Sequence, residues 1–363
     1  MFGFGKNSFL GIDIGTYSIK VLEVKIKGGR PTVTNYAWIS LDDLKSGNQY
    51  SFSESWPVYL KKMLKEAKIE SRNAYISIPA AGALITLVEF PNIAREDLDQ
   101  AIKFEAHKYI PTSLDDVVLS WDVVSITNKD NLLKKFTQSA EKTPDNASAN
   151  KIQVILVAAP KDKVEKYEEI IIEAGLKLKS VEIDSFSLVR SLVGNDQGNF
   201  LIVDIGSKIC NMVLVEKGVV KVNRNIDAGG RDITQAIAKN FGVDEERALE
   251  MKISGQDIFG GKSPIMVPAL NTVVQEIKRV LGDYYKNENG PQLDGIILSG
   301  GTAKLKGITD FFNNSLKIKT VIGDPFSRMI FDKKLEAKIN LIKPQFAVSA
   351  GLALKGAEEF MRK

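Results

Sequence analysis

The chain of 363 residues carries 49 Lys+Arg against 45 Asp+Glu, a formal net charge of +4, and is 44% hydrophobic and 26% charged. At roughly 100–200 residues per domain this length suggests two domains. The composition excludes wholesale disorder, and so small a net charge leaves no electrostatic footprint for nucleic acid. The single cysteine, Cys210, and single histidine, His107, leave no donors for an internal disulfide, a multi-cysteine metal site or a histidine-based triad.

No apolar run approaches the ~20 residues that span a bilayer, and the opening MFGFGK lacks the apolar core of a signal peptide. A cytoplasmic, reducing compartment without direct membrane insertion is expected. The first element is a hairpin: residues 9–24 read FLGIDIGTYSIKVLEV, two apolar runs joined by a glycine-centred break. The phrase returns at 200–215 as FLIVDIGSKICNMVLV. Two copies so far apart indicate two related halves, not a solenoid.

Between them, 55–69 has helical spacing (Tyr59, Leu60, Met63, Leu64, Ala67). Residues 73–79 and 83–91 read as strands, 94–109 as a helix that ends before Pro111, and 117–126 as a strand. Residues 127–150 are polar and charge-rich, as in a long mobile hairpin tip. A strand at 152–160 and a helix at 163–174, ended by Gly175, complete the first half. In the second, 229–240, 244–252 (with Asp244 as N-cap), 265–285 and 346–361 read as helices. The apolar strand 295–299 runs into Gly300-Gly301-Thr302. Strands alternating with helices imply an α/β architecture.

The chemistry lies in the breaks. Asp13-Ile14-Gly15-Thr16 and Asp204-Ile205-Gly206-Ser207 each place a carboxylate at the end of an apolar strand, where it is rigid and partly desolvated. Such a group suits a hydrated Mg²⁺. The glycine lets backbone N–H groups approach a ligand, and Thr16 or Ser207 adds a hydroxyl. One copy alone reads as an ordinary β-turn; two facing copies would clamp a polyphosphate. Gly300-Gly301-Thr302 would let a flat ring or ribose approach. Glu276 and Arg279 share a helix face, either as a solvated salt pair or as ribose and adenine contacts. Gly229-Gly230-Arg231 either closes the far side of the cleft or is simply a helix N-terminus. His107 reads as a packed or half-exposed helix residue and Cys210 as core.

In this order the motifs resemble the actin-like ATPase superfamily, which includes actin, sugar kinases, heat-shock chaperone ATPases, MreB and FtsA. A narrower resemblance is to the PilM family of cytoplasmic type IV pilus assembly proteins. It rests on FLGIDIGTYSIKVLEV, on AIKFEAHKYIPTSLDDVVLSWDVV from Ala101, on VILVAAPKDKVEKYEEIIIEAGLKLKSVEID from Val154, and on FAVSAGLALKGA from Phe346. The resemblance implies a two-domain actin-like fold with ribonuclease H-like halves and an FtsA-type inserted subdomain. Domain I would take 1–187 plus 343–363, with the insertion at about 82–160, and domain II 188–342. Residues 181–188 and 347–354 would be the connecting helices. The implied ligands are ATP and Mg²⁺: Asp13 and Asp204 hold the metal through water, and Gly15, Thr16, Ser18, Lys20, Gly206 and Ser207 line the phosphates. Gly229, Gly230, Glu276, Arg279, Gly300, Gly301 and Thr302 would line the nucleoside. Asp184 stands where chaperones carry a catalytic acid, and hydrolysis is expected to be slow at most.

The implied partner is the N-terminal cytoplasmic tail of a PilN-like inner-membrane protein, bound between the first domain's core and the inserted subdomain. Coupling to the pilus motor ATPase would follow, with the protein peripheral at the inner membrane. An FtsA-like filament protein and a small-molecule kinase share the motifs. The expected lack of a C-terminal amphipathic membrane helix argues against the first, and the lack of a recognisable sugar-binding aspartate against the second.

Overall fold

The computed structural model describes residues 7–40, 56–91, 93–127, 151–255, 258–259, 266–287, 290–331 and 333–362. Most of the expected hairpin tip, residues 128–150, lies outside the described residues, as do the start of the helix expected at 55 and that expected at 265. The chain divides into two compact units, Met1–Ala81 with Lys166–Lys363, and Gly82–Glu165. The insertion is expected at about 82–160, and the smaller unit runs Gly82–Glu165.

The larger unit opens as an antiparallel meander of β1 (Ser8–Ile14), β2 (Ser18–Lys27) and β3 (Arg30–Ser40). Nearly all of β1 is buried, which explains its continuous apolar run: a strand covered on both faces has no polar side to alternate. Helix α1 (Trp56–Glu66) packs Leu60, Met63 and Leu64 against Leu10 and Ile12 of β1. Strand β4 (Asn73–Ile78) then lies parallel to β1.

The smaller unit contains β5 (Leu84–Pro91), α2 (Arg95–Ala106), β6 (Val117–Thr127) and β7 (Lys151–Pro160). Its sheet has the order β5-β7-β6 and is antiparallel throughout. Leu98, Ile102 and Ala106 of α2 share a core with Val88, Phe90, Val154 and Leu156, and Ile110 belongs to the same core at 6% exposure. The Trp121 indole N–H donates to Asp99 Oδ1 at 3.2 Å, tying β6 to α2. Phe104 on α2 is 74% exposed.

Helix α3 (Lys161–Glu173) leads back into the larger unit, where β8 (Lys177–Ile183) pairs parallel with β4 and runs directly into α4 (Asp184–Leu192). The stretch expected as a connecting helix from 181 is therefore strand as far as Ile183. A second meander follows, β9 (Asn199–Ile205), β10 (Cys210–Glu216) and β11 (Val219–Ile226), then α5 (Gly230–Phe241), α6 (Glu245–Ile253) and α7 (Pro268–Asn287). Asp244 caps α6, its carboxylate accepting the Arg247 N–H at 2.7 Å. Strand β12 (Gly295–Ser299) lies parallel to β9, and α8 (Ile308–Leu316), β13 (Thr320–Ile322), β14 (Ile330–Phe331), α9 (Lys333–Ile342) and α10 (Ala347–Met361) complete the chain.

The sheet orders are β14-β3-β2-β1-β4-β8 and β11-β10-β9-β12-β13. Each is a three-stranded meander whose first strand takes a parallel partner on its other side, so the repeat seen in two short phrases extends to whole sheets. One piece crosses the expected boundary. Ile330 and Phe331 pair with Thr32 and Val33 of β3 and so complete the first sheet, although they fall within 188–342. Helix α10 packs backbone to backbone: a Cβ on Gly11 would collide with the Ser349 carbonyl, and one on Gly351 with that of Ser187. The carboxylate of Glu182, at the end of β8, spans this crossing. It accepts from Arg190 (2.6 Å) and Ser187 (2.5 Å) of α4 and from Lys355 (3.0 Å) of α10.

Candidate functional site: the paired strand-end carboxylates

The two hairpins repeat one another bond for bond. In the first, the Gly15 N–H donates to the Ser18 carbonyl at 3.0 Å and Asp13 lies opposite Lys20. In the second, the Gly206 N–H donates to the Ile209 carbonyl at 3.0 Å and Asp204 lies opposite Asn211. Both aspartates sit one residue before the end of an interior strand. In open α/β sheets, ligands bind at these carboxyl ends.

A third carboxylate joins them. Asp184 begins α4, and its Oδ1 accepts the backbone N–H of Ala80 at 3.1 Å and Asn211 Nδ2 at 3.2 Å. Burial, then the charges of Asp204 and Asp13, push Asp184 up to about 7. Burial also raises Asp204, to about 6, with Asp13 adding to it; the neighbouring Ser299 hydroxyl, whose proton goes to the Pro344 carbonyl at 3.1 Å, and the charge of Lys20 pull the other way. The parallel register of β12 sets Ser299 beside Asp204. Asp13 has its own counter-ion, since Lys20 Nζ lies 2.9 Å from its Oδ2 with both side chains only 15% exposed. Tyr167 of α3 donates its phenol to the Ile14 carbonyl at 3.4 Å, and burial followed by Asp13 and Asp184 pushes it up to about 12.

The glycine turns differ in role. Gly230 and Arg231 N–H groups donate to the carbonyls of Gly206 and Ser207, each at 2.8 Å, so the start of α5 braces the second hairpin turn. Gly229 must be glycine, because a Cβ there would overlap the backbone of Ser207. Gly300 has φ +84°, and a Cβ would strike the Ile205 carbonyl. Gly301 is the opposite case: a Cβ would meet nothing within 4 Å. Of the hydroxyls, Thr16 is exposed, Ser207 half-buried and Ser18 buried.

Lys252 of α6 carries no motif, yet its ammonium donates to the Gly230 carbonyl at 2.6 Å. A Cβ built on Gly230 would lie 2.8 Å from both Lys252 Nζ and Thr302 Oγ1, so Lys252 sits where the 229–230 and 300–302 turns meet. Burial lowers its pKa to about 8, with Asp232 opposing. Glu276 and Arg279 do not join this group. Glu276 accepts from Arg279 and, at 2.8 Å, from Arg224 of β11. That edge strand lies three places from β12 in the sheet, a distance of roughly 14 Å at the usual strand spacing. The two residues form an outward ion-pair network, and Arg279 followed by Arg224 holds the Glu276 carboxyl below its ordinary range. Asn211, Ser299, Tyr167 and Lys252 were missed in the sequence. The repeat itself offered one signal, since aligning the hairpins sets Asn211 in the place of Lys20.

Among the described residues, no group of three or more His, Cys, Asp or Glu side chains is placed to hold a metal ion directly. No described helix is long and apolar enough to cross a membrane.

The family model described as type IV pilus assembly protein PilM matches residues 11–357. The cell division protein FtsA of Helicobacter pylori strain J99 is 22% identical over 262 residues, covering 61% of this chain. The chain spans about half the length of that relative, 51%. Among solved structures, a PilM-PilN type IV pilus biogenesis complex is similar with a TM-score of 0.77 at 24% identity, covering 96% of this chain and 98% of that one. MreB5 of Spiroplasma citri bound to ADP gives a TM-score of 0.54 at 12% identity, covering 98% of each chain. At such identities the likeness is one of fold, and that fold is the two-domain actin-like architecture.

Proposed function

The chain belongs to the PilM family of type IV pilus assembly proteins, and on that premise we propose that it binds ATP with Mg²⁺ and uses the bound state to regulate capture of a membrane partner. The observation that carries this reading is the pair of matched hairpins, each presenting a strand-end carboxylate, with Asp184 beside both. The donor set fits the cation: Asp184 and Asp204 are raised by burial and by neighbouring carboxylates, a cost that a divalent ion would relieve. The lack of a directly ligating trio among the described residues fits Mg²⁺, which keeps several of its waters. The metal supplies charge neutralisation at the phosphates. Asp13 and Asp204 orient its water shell, and Thr16, Ser18, Lys20 and Ser207 serve the phosphates.

At the nucleoside end the residues are Gly301, whose open Cβ side admits a flat ring, with Thr302, Gly300, Gly229, Gly230 and Lys252. Glu276 and Arg279 are left out, because their partners are one another and Arg224. Asp184, poised near neutrality, is suited to accept a proton from water, and turnover is slow at most. ATP would act mainly by shifting population toward a closed state, through contacts made with both halves.

The partner is an extended N-terminal peptide of a PilN-like inner-membrane protein. It docks on the smaller unit, where β5 and β6 are both sheet edges able to add a strand. The protein is cytoplasmic and peripheral at the inner membrane through that partner, within reach of the motor ATPase. The test is calorimetry with Mg²⁺·ATP together with a pull-down on the membrane protein's N-terminal peptide. Phe104→Asp should abolish peptide capture and leave ATP binding intact. Ile110 is unsuitable for this test, because a charge there would break the unit's own core. Wild-type capture by Phe104→Asp would move the docking site away from α2, and absence of ATP binding in the wild-type protein would end the nucleotide reading.

A further inference from the structure

Asn211 occupies the cross-strand place that Lys20 occupies in the first hairpin, and its side chain does something different. Lys20 turns to the aspartate opposite it, whereas Asn211 turns to Asp184. Its two amide protons are both committed, one to Asp184 Oδ1 at 3.2 Å and one to Ser185 Oγ at 3.1 Å. Ser185 is fully buried and donates to Asn223 Oδ1 at 2.7 Å. Ser185 Oγ also lies 3.3 Å from Asp184 Oδ1, but a hydroxyl has a single proton, and given to the much nearer Asn223 oxygen it leaves Ser185 an acceptor toward Asn211. The relay therefore runs one way, from Asn211 through Ser185 to Asn223 of β11, and it fixes which end of the Asn211 amide faces the carboxylate. The reverse orientation would set a carbonyl against Asp184. The cost is visible, since Asn211 is 5% exposed and its Oδ1 is buried with no partner among the described residues.

On the carboxylate, both outside donors converge on one oxygen. Ala80, from the turn after β4, and Asn211, from β10, bring the first and second halves of the larger unit to Asp184 Oδ1. No donor among the described residues reaches Oδ2. We infer that Asn211 is a positioning residue, which with the Ser185–Asn223 relay holds Asp184 by one oxygen and leaves the other presented to a water at the site. This rests on the nucleotide reading only for what that water would attack; the holding of Asp184 stands on the hydrogen bonds alone.

The test uses the full chain with Asn211→Leu, which removes the donor, and Asn211→Ser, which is short enough to fit and can still donate. Amide hydrogen exchange at Ala80, without nucleotide, reports whether Asp184 Oδ1 is in place. Exchange should be about tenfold faster in Asn211→Leu, the loss expected for one hydrogen bond to a charged group, and partly restored in Asn211→Ser. Mg²⁺·ATP affinity should change less than about threefold, because Asn211 does not contact the proposed ligand, whereas single-turnover hydrolysis should fall by about tenfold or more. Wild-type Ala80 protection in a folded Asn211→Leu protein would overturn the inference. So would faster exchange spread evenly over β4, which would signify loosening of the strand. If the wild-type protein binds no ATP, the nucleotide reading fails and the Ala80 measurement still decides the role of Asn211.

Discussion

The two hairpins share a turn and a carboxylate but resolve the carboxylate's charge in opposite ways. The first carries its own counter-ion: Lys20 lies across from Asp13 and pairs with it at 2.9 Å. The second has Asn211 in that place, and Asn211 serves Asp184 instead. Burial therefore acts on Asp204 without a cation from its own hairpin, and its pKa rises to about 6. The turns differ as well. A Cβ on Gly15 would lie 3.3 Å from the Ser18 carbonyl, while one on Gly206 would lie 2.8 Å from that of Ile209, in a loop also braced by α5. A duplicated element kept the geometry that presents a carboxylate and let the cross-strand residue specialise, self-neutralised on one side and wired to a third carboxylate on the other.

The largest effect should come from removing the carboxylates in turn. Asp204→Ala should weaken Mg²⁺·ATP binding by at least about tenfold. Asp13→Ala should lose less, because it releases Lys20 as an unpaired cation beside the phosphates. Calorimetry on both variants checks this, and equal losses would mean that Lys20 does not sense the ligand.

Next comes pH. The folded-state pKa of Asp184 is raised to about 7 from the ordinary aspartate value of 3.8, so the folded protein holds this proton more tightly than the unfolded chain. The stabilisation is fully present below about pH 4 and is lost as pH rises through 7. Thermal melts without nucleotide should fall across that window. The groups facing Asp184 are Asp204, Asp13 and Tyr167. Asp184→Asn, which stays neutral, should flatten the decline, leaving the smaller contribution of Asp204. An unchanged slope would show that the raised ionisation lies elsewhere.

A smaller effect separates the two turns. Gly206→Ala must displace backbone and should cost about 1–3 kcal/mol, whereas Gly15→Ala needs a shift of a few tenths of an ångström and should cost less than about 1 kcal/mol. Denaturant midpoints compare them, and equal costs would mean that the bracing by α5 is irrelevant. The smallest effect is expected at Glu276. Glu276→Gln removes partners that are half-exposed arginines, so nucleotide affinity should not change and stability should move little. A marked loss of affinity would return Glu276 to the nucleoside end.

The sequence by itself determined the elements and their repetition. The hairpin phrase, the caps at Asp244 and Gly175, and the strand entering Gly300 were legible because apolar period and turn chemistry act between near neighbours. The strand-end positions of Asp13 and Asp204 followed from the same local rules. The third strand of each meander was less legible, since β3 and β11 are only half-buried and their apolar pattern is broken. Tertiary structure alone decided which residues meet. Ser299 stands beside Asp204 by strand register, Ile330 and Phe331 return to the first sheet, and Lys252 near the end of α6 reaches back to Gly230 at the start of α5. Glu276, matched by spacing to Arg279, found its second partner on an edge strand far along the chain. Such pairings depend on strand order and on how burial raises the cost of a charge or an unpaired donor, and neither is encoded in the spacing of residues along one segment.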